Sequence, residues 1–294
     1  MHPTCLLAPA CLPRHTRLRS ALRVALAAVG CAPAGPRHPQ GNVEALRHTL
    51  AAGAPQAADI SYLRSPAAPG QAPGARLLLV HGTPGSAASW ADYLLQPPPG
   101  LEVLAIDRPG FGRSGPAVAV PQLAAQAAAV RALLPAPGRA VVLLGHSLGG
   151  PVVAQLAATL AVEDPRRPVT LVLLAASLDP AQESIHPLQW LGAWAPVRAL
   201  LPRVLRNANA ELMALQSELQ VLTTLLPRIT ARVLIVHGTQ DDLVPVANVP
   251  YIQARLSSAR CVKTLLLPGR NHFLPWNAEA EVRDVLRMAL EGAC

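Results

Sequence analysis

Val141-Val142-Leu143-Leu144-Gly145-His146-Ser147-Leu148-Gly149-Gly150-Pro151 carries four apolar residues straight into a Gly-x-Ser-x-Gly turn and on into an alanine-rich helical pattern. A strand that ends in such a turn and reverses at once into a helix forces its central serine into a strained position, and small flanking residues let the turn close. The pattern therefore predicts Ser147 Oγ at the edge of a sheet, facing solvent. The bare pentapeptide occurs by chance in many proteins. Its strand-turn-helix setting gives it weight.

Working outward, further apolar runs bracket this turn. Asp59–Leu63 alternates as an edge strand should, and a Pro/Gly turn follows through Gly74. Arg76–Val80 and Leu101–Ile106 read as buried strands, as do Val141–Leu144, Val169–Leu174, Arg232–Val236 and Val262–Leu267. Gln122–Leu134 and Leu148–Leu160 read as helices. Continuous apolar strands alternating with helices predict an α/β fold, a mostly parallel, doubly wound sheet covered on both faces. The alternation breaks only between Ser177 and Arg228, a Leu-rich helical stretch without a strand. That segment, about residues 178–228, reads as a helical cap inserted after the sixth strand, within a domain spanning 58–294.

Half of the 294 residues are apolar, enough for one large core. The formal charge of +8 would suit a polyanion if its basic residues clustered. They do so only in the first thirty positions, at Arg14, Arg17, Arg19 and Arg23 with no acid among them. No nucleic-acid partner is expected. This basic region precedes a short apolar run, Val24–Val29, and Gly30-Cys31, as in a secretory signal. The run is too short to span a bilayer, which takes roughly 20 apolar residues. Ala28–Cys31 resembles the bacterial lipoprotein box, with Ala28 where Leu is usual. Residues 1–30 are thus expected to be a signal, Cys31 a lipid-attachment site, and residues 31–57, with one helical scrap near Val43–Leu50, a Pro/Gly/Ala-rich tether. The protein would then be exported and anchored to a membrane. A leader on a cytoplasmic protein is the alternative.

Four motifs occur in a telling order: His81-Gly82-Thr83-Pro84-Gly85, the turn at Ser147, His237–Pro245 with Asp241 and Asp242, and Gly269-Arg270-Asn271-His272-Phe273. In these motifs the chain resembles the serine-nucleophile branch of the α/β-hydrolase superfamily, from about Asp59 to Ala293. The resemblance implies Ser147 as nucleophile and His272 as general base. A serine hydroxyl is a poor nucleophile until a histidine takes its proton, and the histidine needs a carboxylate to fix its tautomer. The family's Asp-x-x-Val-Pro pattern assigns that carboxylate to Asp241. Asp242 falls one residue out of step, and Asp179 is the reserve, because some relatives carry the acid after the sixth strand. The backbone N–H groups of Leu148 and, by resemblance, Thr83 would form the oxyanion hole. His81, His146 and His237 match the base by residue type only, and His81 is expected to order its own loop. Asp107–Gly115 should shape the pocket floor.

The expected activity is cleavage of a carboxylic ester through an acyl-enzyme. The same motifs serve prolyl exopeptidases, perhydrolases, carbon–carbon hydrolases and acyltransferases. A surface-tethered binding protein without turnover is the reading from another class. No metal-ligand cluster or nucleotide fingerprint stands in the sequence, so no cofactor or metal is expected. Trp190 and Trp194 are expected to give the cap an apolar acyl pocket, with packing of the cap as the competing role. With Cys31 lipidated after export, Cys261 and Cys294 would remain as an even pair in an oxidising compartment, and a bridge between them is expected. The helix that leads from a cap at Asn277 to Leu290 must return antiparallel to the last strand, which brings Cys294 back to the edge where Cys261 starts.

Overall fold

The computed structural model describes residues 41–51, 58–66 and 74–292. The strands are β1 Arg47–Leu50, β2 Ile60–Arg64, β3 Ala75–Val80, β4 Leu101–Ile106, β5 Ala140–His146, β6 Val169–Leu174, β7 Arg232–Gly238 and β8 Cys261–Leu267. They form one sheet in the order β1-β2-β4-β3-β5-β6-β7-β8. β2 runs antiparallel to β1 and β4, and all other pairs are parallel. The helices are α1 Ala91–Leu95, α2 Leu123–Arg131, α3 Gly149–Glu163, α4 Pro187–Ala193, α5 Ala195–Leu200, α6 Arg203–Thr223, α7 Asn248–Arg255, α8 Leu274–Asn277 and α9 Glu279–Glu291.

The central parallel strands, β3 to β7, are largely apolar because both faces of the sheet are covered there, whereas the edge strand β8 is only partly buried. In β5, Val141 and Leu143 enter one buried cluster with α2, α3 and the cap residues Leu215, Leu219 and Leu222. Val142 and Leu144 enter the other, with Trp90, Tyr93 and the α9 residues Val282, Val285 and Leu286. Between β6 and β7 the chain forms helices and no strand, and α6 presents Leu215, Leu219 and Leu222 inward at helical spacing. The strand order reverses at β3, which lies between β4 and β5. Such a reversal opens a crevice at the carboxyl ends of the strands, and the loop after β3 and the turn after β5 both stand there.

Three local expectations are corrected. Residues 43–50, read as a helical scrap in a tether, are a 3-10 turn at Val43–Leu46 followed by β1. β1 pairs with β2, so β2 lies one strand inside the edge it was assigned. The last long helix does not start from a cap at Asn277: the chain first makes the single turn α8, and Ala278 stands at the start of α9. Among the described residues no helix is long and apolar enough to cross a membrane. The expected signal over 1–30, Cys31, the tether residues 32–40 and 52–57, and Cys294 lie outside the described residues.

Candidate active site

β5 delivers Ser147 into the left-handed region at φ 55. A side chain tolerates that conformation only where the surroundings enforce it. Here they do so by close backbone packing: a β-carbon on Gly145 would stand 2.2 Å from Gly149 O, and one on Gly149 would stand 2.3 Å from Val80 O. Leu148 is the residue from which α3 starts, where backbone N–H groups lack helical partners and the helix dipole is positive.

The carboxylate of Asp241, just past β7, is buried. Its Oδ1 accepts the backbone N–H groups of Leu243 at 2.9 Å and Val244 at 2.8 Å, and its Oδ2 accepts His272 Nδ1–H at 2.8 Å. Burial alone would raise this carboxyl. The hydrogen bond and charge of His272, with smaller help from Val244 N–H and His237, outweigh it and hold the group below the usual carboxylate range. With Nδ1 donating, the free Nε2 of a neutral His272 is the acceptor. No hydrogen bond joins His272 to Ser147 among the described residues. Asp242 is exposed, and Asp179 spends its carboxylate on Ala181 N–H and Gln182 Nε2 at the start of a 3-10 turn. Of the three candidate acids, the structure brings only Asp241 to His272.

The rival histidines turn out to be supports. His146 Nε2 lies 2.9 Å from the carbonyl of His272, and the two rings are 4.9 Å apart. Burial, then the neighbouring His272, pushes His146 down to about 3. His237 Nε2 holds the carbonyl of Val244 at 2.9 Å and stands 3.5 Å from Asp241 Oδ2, with its basicity lowered chiefly by burial. Sequence reading missed these roles, although each histidine stands at the end of the strand that delivers the nucleophile or the acid. His81 orders its own loop as expected, with Nδ1 2.7 Å from Gly82 O and Nε2 accepting Arg108 N–H at 3.1 Å. Thr83 Oγ1 is buried without a hydrogen-bond partner.

Asp107, expected on the pocket floor, is fully buried and accepts Ala87 N–H, Arg113 N–H and the Arg47 guanidinium. Trp190 and Trp194 are 60% and 62% exposed on the outer helix α4 and at its end, so neither indole is packed into the interior. Leu215, Leu219 and Leu222 instead serve the packing role weighed for the cap. Cys261 is disulfide-bonded. No group of three or more potential ligands that could hold a metal occurs among the described residues.

A strained serine at a strand-to-helix turn, with a histidine fixed by a buried carboxylate beside the same strand end, is an arrangement able to carry out nucleophilic catalysis. Residues 77–285 match the Alpha/beta hydrolase family, and the chain belongs to that family. It is 34% identical over 126 residues to the dihydrolipoyllysine-residue acetyltransferase component of the acetoin cleaving system of Cupriavidus necator. That match takes in 42% of this chain and 33% of the relative, so the chain spans about a third of that protein's length. Among solved structures, it is similar to the monoacylglycerol lipase of Paleococcus ferrophilus (TM-score 0.62, 20% identity, 79% of this chain and 98% of that one). It is also similar to a hydrolase from Pseudomonas aeruginosa (TM-score 0.61, 22% identity, 84% and 98%). At these identities the likeness is one of fold.

Proposed function

We propose that the chain is a serine hydrolase of carboxylic esters, with a small to medium apolar acyl or alkyl group, working through an acyl-enzyme. The observation that carries this reading is the buried Asp241–His272 hydrogen bond of 2.8 Å beside a turn that strains Ser147. His272 Nε2 takes the proton of Ser147 Oγ–H as the oxygen attacks the ester carbonyl, and the Asp241 carboxylate stabilises the imidazolium that forms. The Ser147–His272 hydrogen bond, absent among the described residues, forms as substrate enters, catalytic hydrogen bonds commonly tightening only then.

The developing oxyanion is met by the N–H groups of Leu148 and Thr83, each such donor being worth about 3–4 kcal/mol. The tetrahedral adduct collapses when His272 returns the proton to the leaving alcohol. Water then attacks the acyl-serine by the same path in reverse, releasing the acid and restoring Ser147. The esterase and lipase folds to which the chain is similar support an ester as substrate. Fluorophosphonate labelling tests the reading: the wild type should label and turn over p-nitrophenyl esters, and Ser147→Ala should do neither. A folded wild type that does not label would overturn it.

Two further parts of this reading concern residues outside the described ones. Residues 1–31 serve export and lipid attachment at Cys31, and Cys31→Ser should release the protein from the membrane fraction. Cys294 is the partner of the disulfide-bonded Cys261. The end of α9 supports this, since Gly292 lies against the guanidinium of Arg232, whose register partner across the sheet is Cys261.

A further inference from the structure

Arg108 is completely buried, and it makes more polar contacts than any reading of its loop as a pocket floor requires. Its guanidinium grips the carboxylate of Glu211 on the cap helix α6 with two bonds, Nη1 to Oε1 at 2.7 Å and Nη2 to Oε2 at 3.0 Å. Glu211 is itself 2% exposed. Nη1 also reaches Gln126 Oε1 at 2.8 Å, and Gln126 Nε2 bonds to the same carboxylate. The remaining guanidinium donors turn to the loop after β3: Nε to His81 O at 2.9 Å and Nη2 to Gly82 O at 2.9 Å.

The backbone N–H of Arg108 donates to His81 Nε2, so the proton of a neutral His81 sits on Nδ1, and Nδ1–H donates to Gly82 O. The Gly82 carbonyl is thus pinned by two donors, one of them a cation. In a trans peptide the C=O and the following N–H point in opposite directions. Fixing Gly82 O toward Arg108 therefore turns Thr83 N–H away from it. Gly82 itself packs on the nucleophile, where an added β-carbon would stand 2.9 Å from Ser147 Cβ.

We propose that Glu211 and Arg108 are positioning residues for the oxyanion hole: through this ion pair the seated cap sets the direction of the Gly82–Thr83 peptide. The proposal rests on the serine-hydrolase reading. A buried guanidinium keeps its place only while its charge is matched. Without Glu211, Arg108 is drawn toward water, the Gly82 carbonyl loses its charged donor, and the Thr83 N–H is free to turn from the oxyanion. The loss falls on the transition state, because the ground-state ester makes little use of that donor.

The test compares wild type, Glu211→Gln and Glu218→Gln in the full chain. Glu218 lies on the same helix and also ties cap to core, accepting Leu123 N–H at 2.9 Å, but does not reach the loop. Active sites are titrated to completion with a fluorophosphonate. For each variant kcat and KM are measured with a p-nitrophenyl ester, together with Ki for an alkyl boronic acid, whose serine adduct places an oxygen in the oxyanion hole. In Glu211→Gln, kcat per titrated site should fall about 10- to 100-fold, short of the full loss of a donor, with KM changed less than about twofold. Ki should rise by the same factor as kcat falls. Glu218→Gln should leave all three values within about twofold of wild type.

A folded Glu211→Gln protein with wild-type kcat and Ki overturns the proposal, and so does a loss that Glu218→Gln shares. If Glu211→Gln is not recovered folded, Glu211→Asp, which keeps the charge but on an arm too short for both bonds, should show a smaller loss of kcat with a matching rise in Ki, and wild-type values in that folded variant overturn the proposal. Failure of the wild type itself to titrate overturns the hydrolase reading, and this one with it.

Discussion

Lowering the pH from about 7 to about 4.5 should destabilise this protein chiefly through its buried histidines. His81, His146 and His237 are buried, and burial is the main reason each holds its proton less tightly than in the unfolded chain. A folded-state value below the unfolded one means that the unfolded chain binds more protons over the interval between them. Stability is therefore present above the unfolded value of 6.5 and is lost as the pH falls toward the folded one. For His146 the interval runs from 6.5 to about 3. Within it the loss is on the order of 1 kcal/mol per pH unit, so His146 alone removes a few kcal/mol by about pH 4.5. His81 and His237 act in the same direction. Glu183, raised by burial, opposes them, and Asp241, lowered from 3.8, contributes only below this range. Against a total stability on the order of 5–15 kcal/mol, a loss of a few kcal/mol is a sizeable fraction. The assay is urea denaturation at a series of pH values for wild type and His146→Gln, which keeps a donor for the His272 carbonyl. The variant's stability should fall with a slope shallower by on the order of 1 kcal/mol per pH unit. Equal slopes, or a wild type whose stability is flat between about pH 6.5 and 4.5, would refute the reasoning.

Asp241→Asn should lower kcat about 10⁴-fold by allowing the wrong His272 tautomer, whereas the exposed Asp242→Asn should match wild type in the same ester assay. Gly149→Ala sets a β-carbon 2.3 Å from Val80 O, and thermal unfolding should register a loss of at least about 2 kcal/mol. Trp190→Ala and Trp194→Ala should stay within about 0.5 kcal/mol of wild type in stability, since both indoles are exposed; a shift in acyl-length preference would place them at the substrate. Cys261→Ser should cost about 3–4 kcal/mol, with Cys294→Ser and the double variant matching it. A Cys294→Ser protein as stable as wild type would show that Cys261 bonds elsewhere.

The central parallel strands could be read from sequence because burial on both faces leaves most of their positions apolar, Arg76, Glu102 and Thr170 being polar exceptions. Leu101–Ile106 and Val169–Leu174 came out with the observed bounds. β1 could not, since Arg47, His48, Thr49 and Leu50 form a largely exposed edge with no apolar pattern. What places it is its pairing with β2 and the reach of Arg47 to Asp107 at 2.6 Å, neither visible before folding. Within the candidate site, the strand-end positions of Ser147, Asp241 and His272 were legible because each stands in a motif there, and the pairing of Asp241 with His272 followed from the same motifs. Arg108 and Glu211 were not: 103 residues separate them, and a glutamate in a helix otherwise rich in polar residues reads as a solvated one. The tryptophans were the reverse case, large apolar side chains that the fold leaves exposed.

The inward face of α6 sets an uneven constraint on how this chain can change length. Glu211, Leu215, Leu219 and Leu222 are all buried on that helix, four, four and three residues apart. Removing one residue upstream within α6 would turn everything before the gap by about 100° relative to the leucines after it. A deletion between Glu211 and Leu215 would thus break the ion pair with Arg108 and the packing of the cap in one step. The stretch from Pro180 through Leu201 has no such register to keep, since α4 and α5 contain no buried residue. Family members that differ in cap size should therefore differ by insertions before α6, with the helix itself kept in phase.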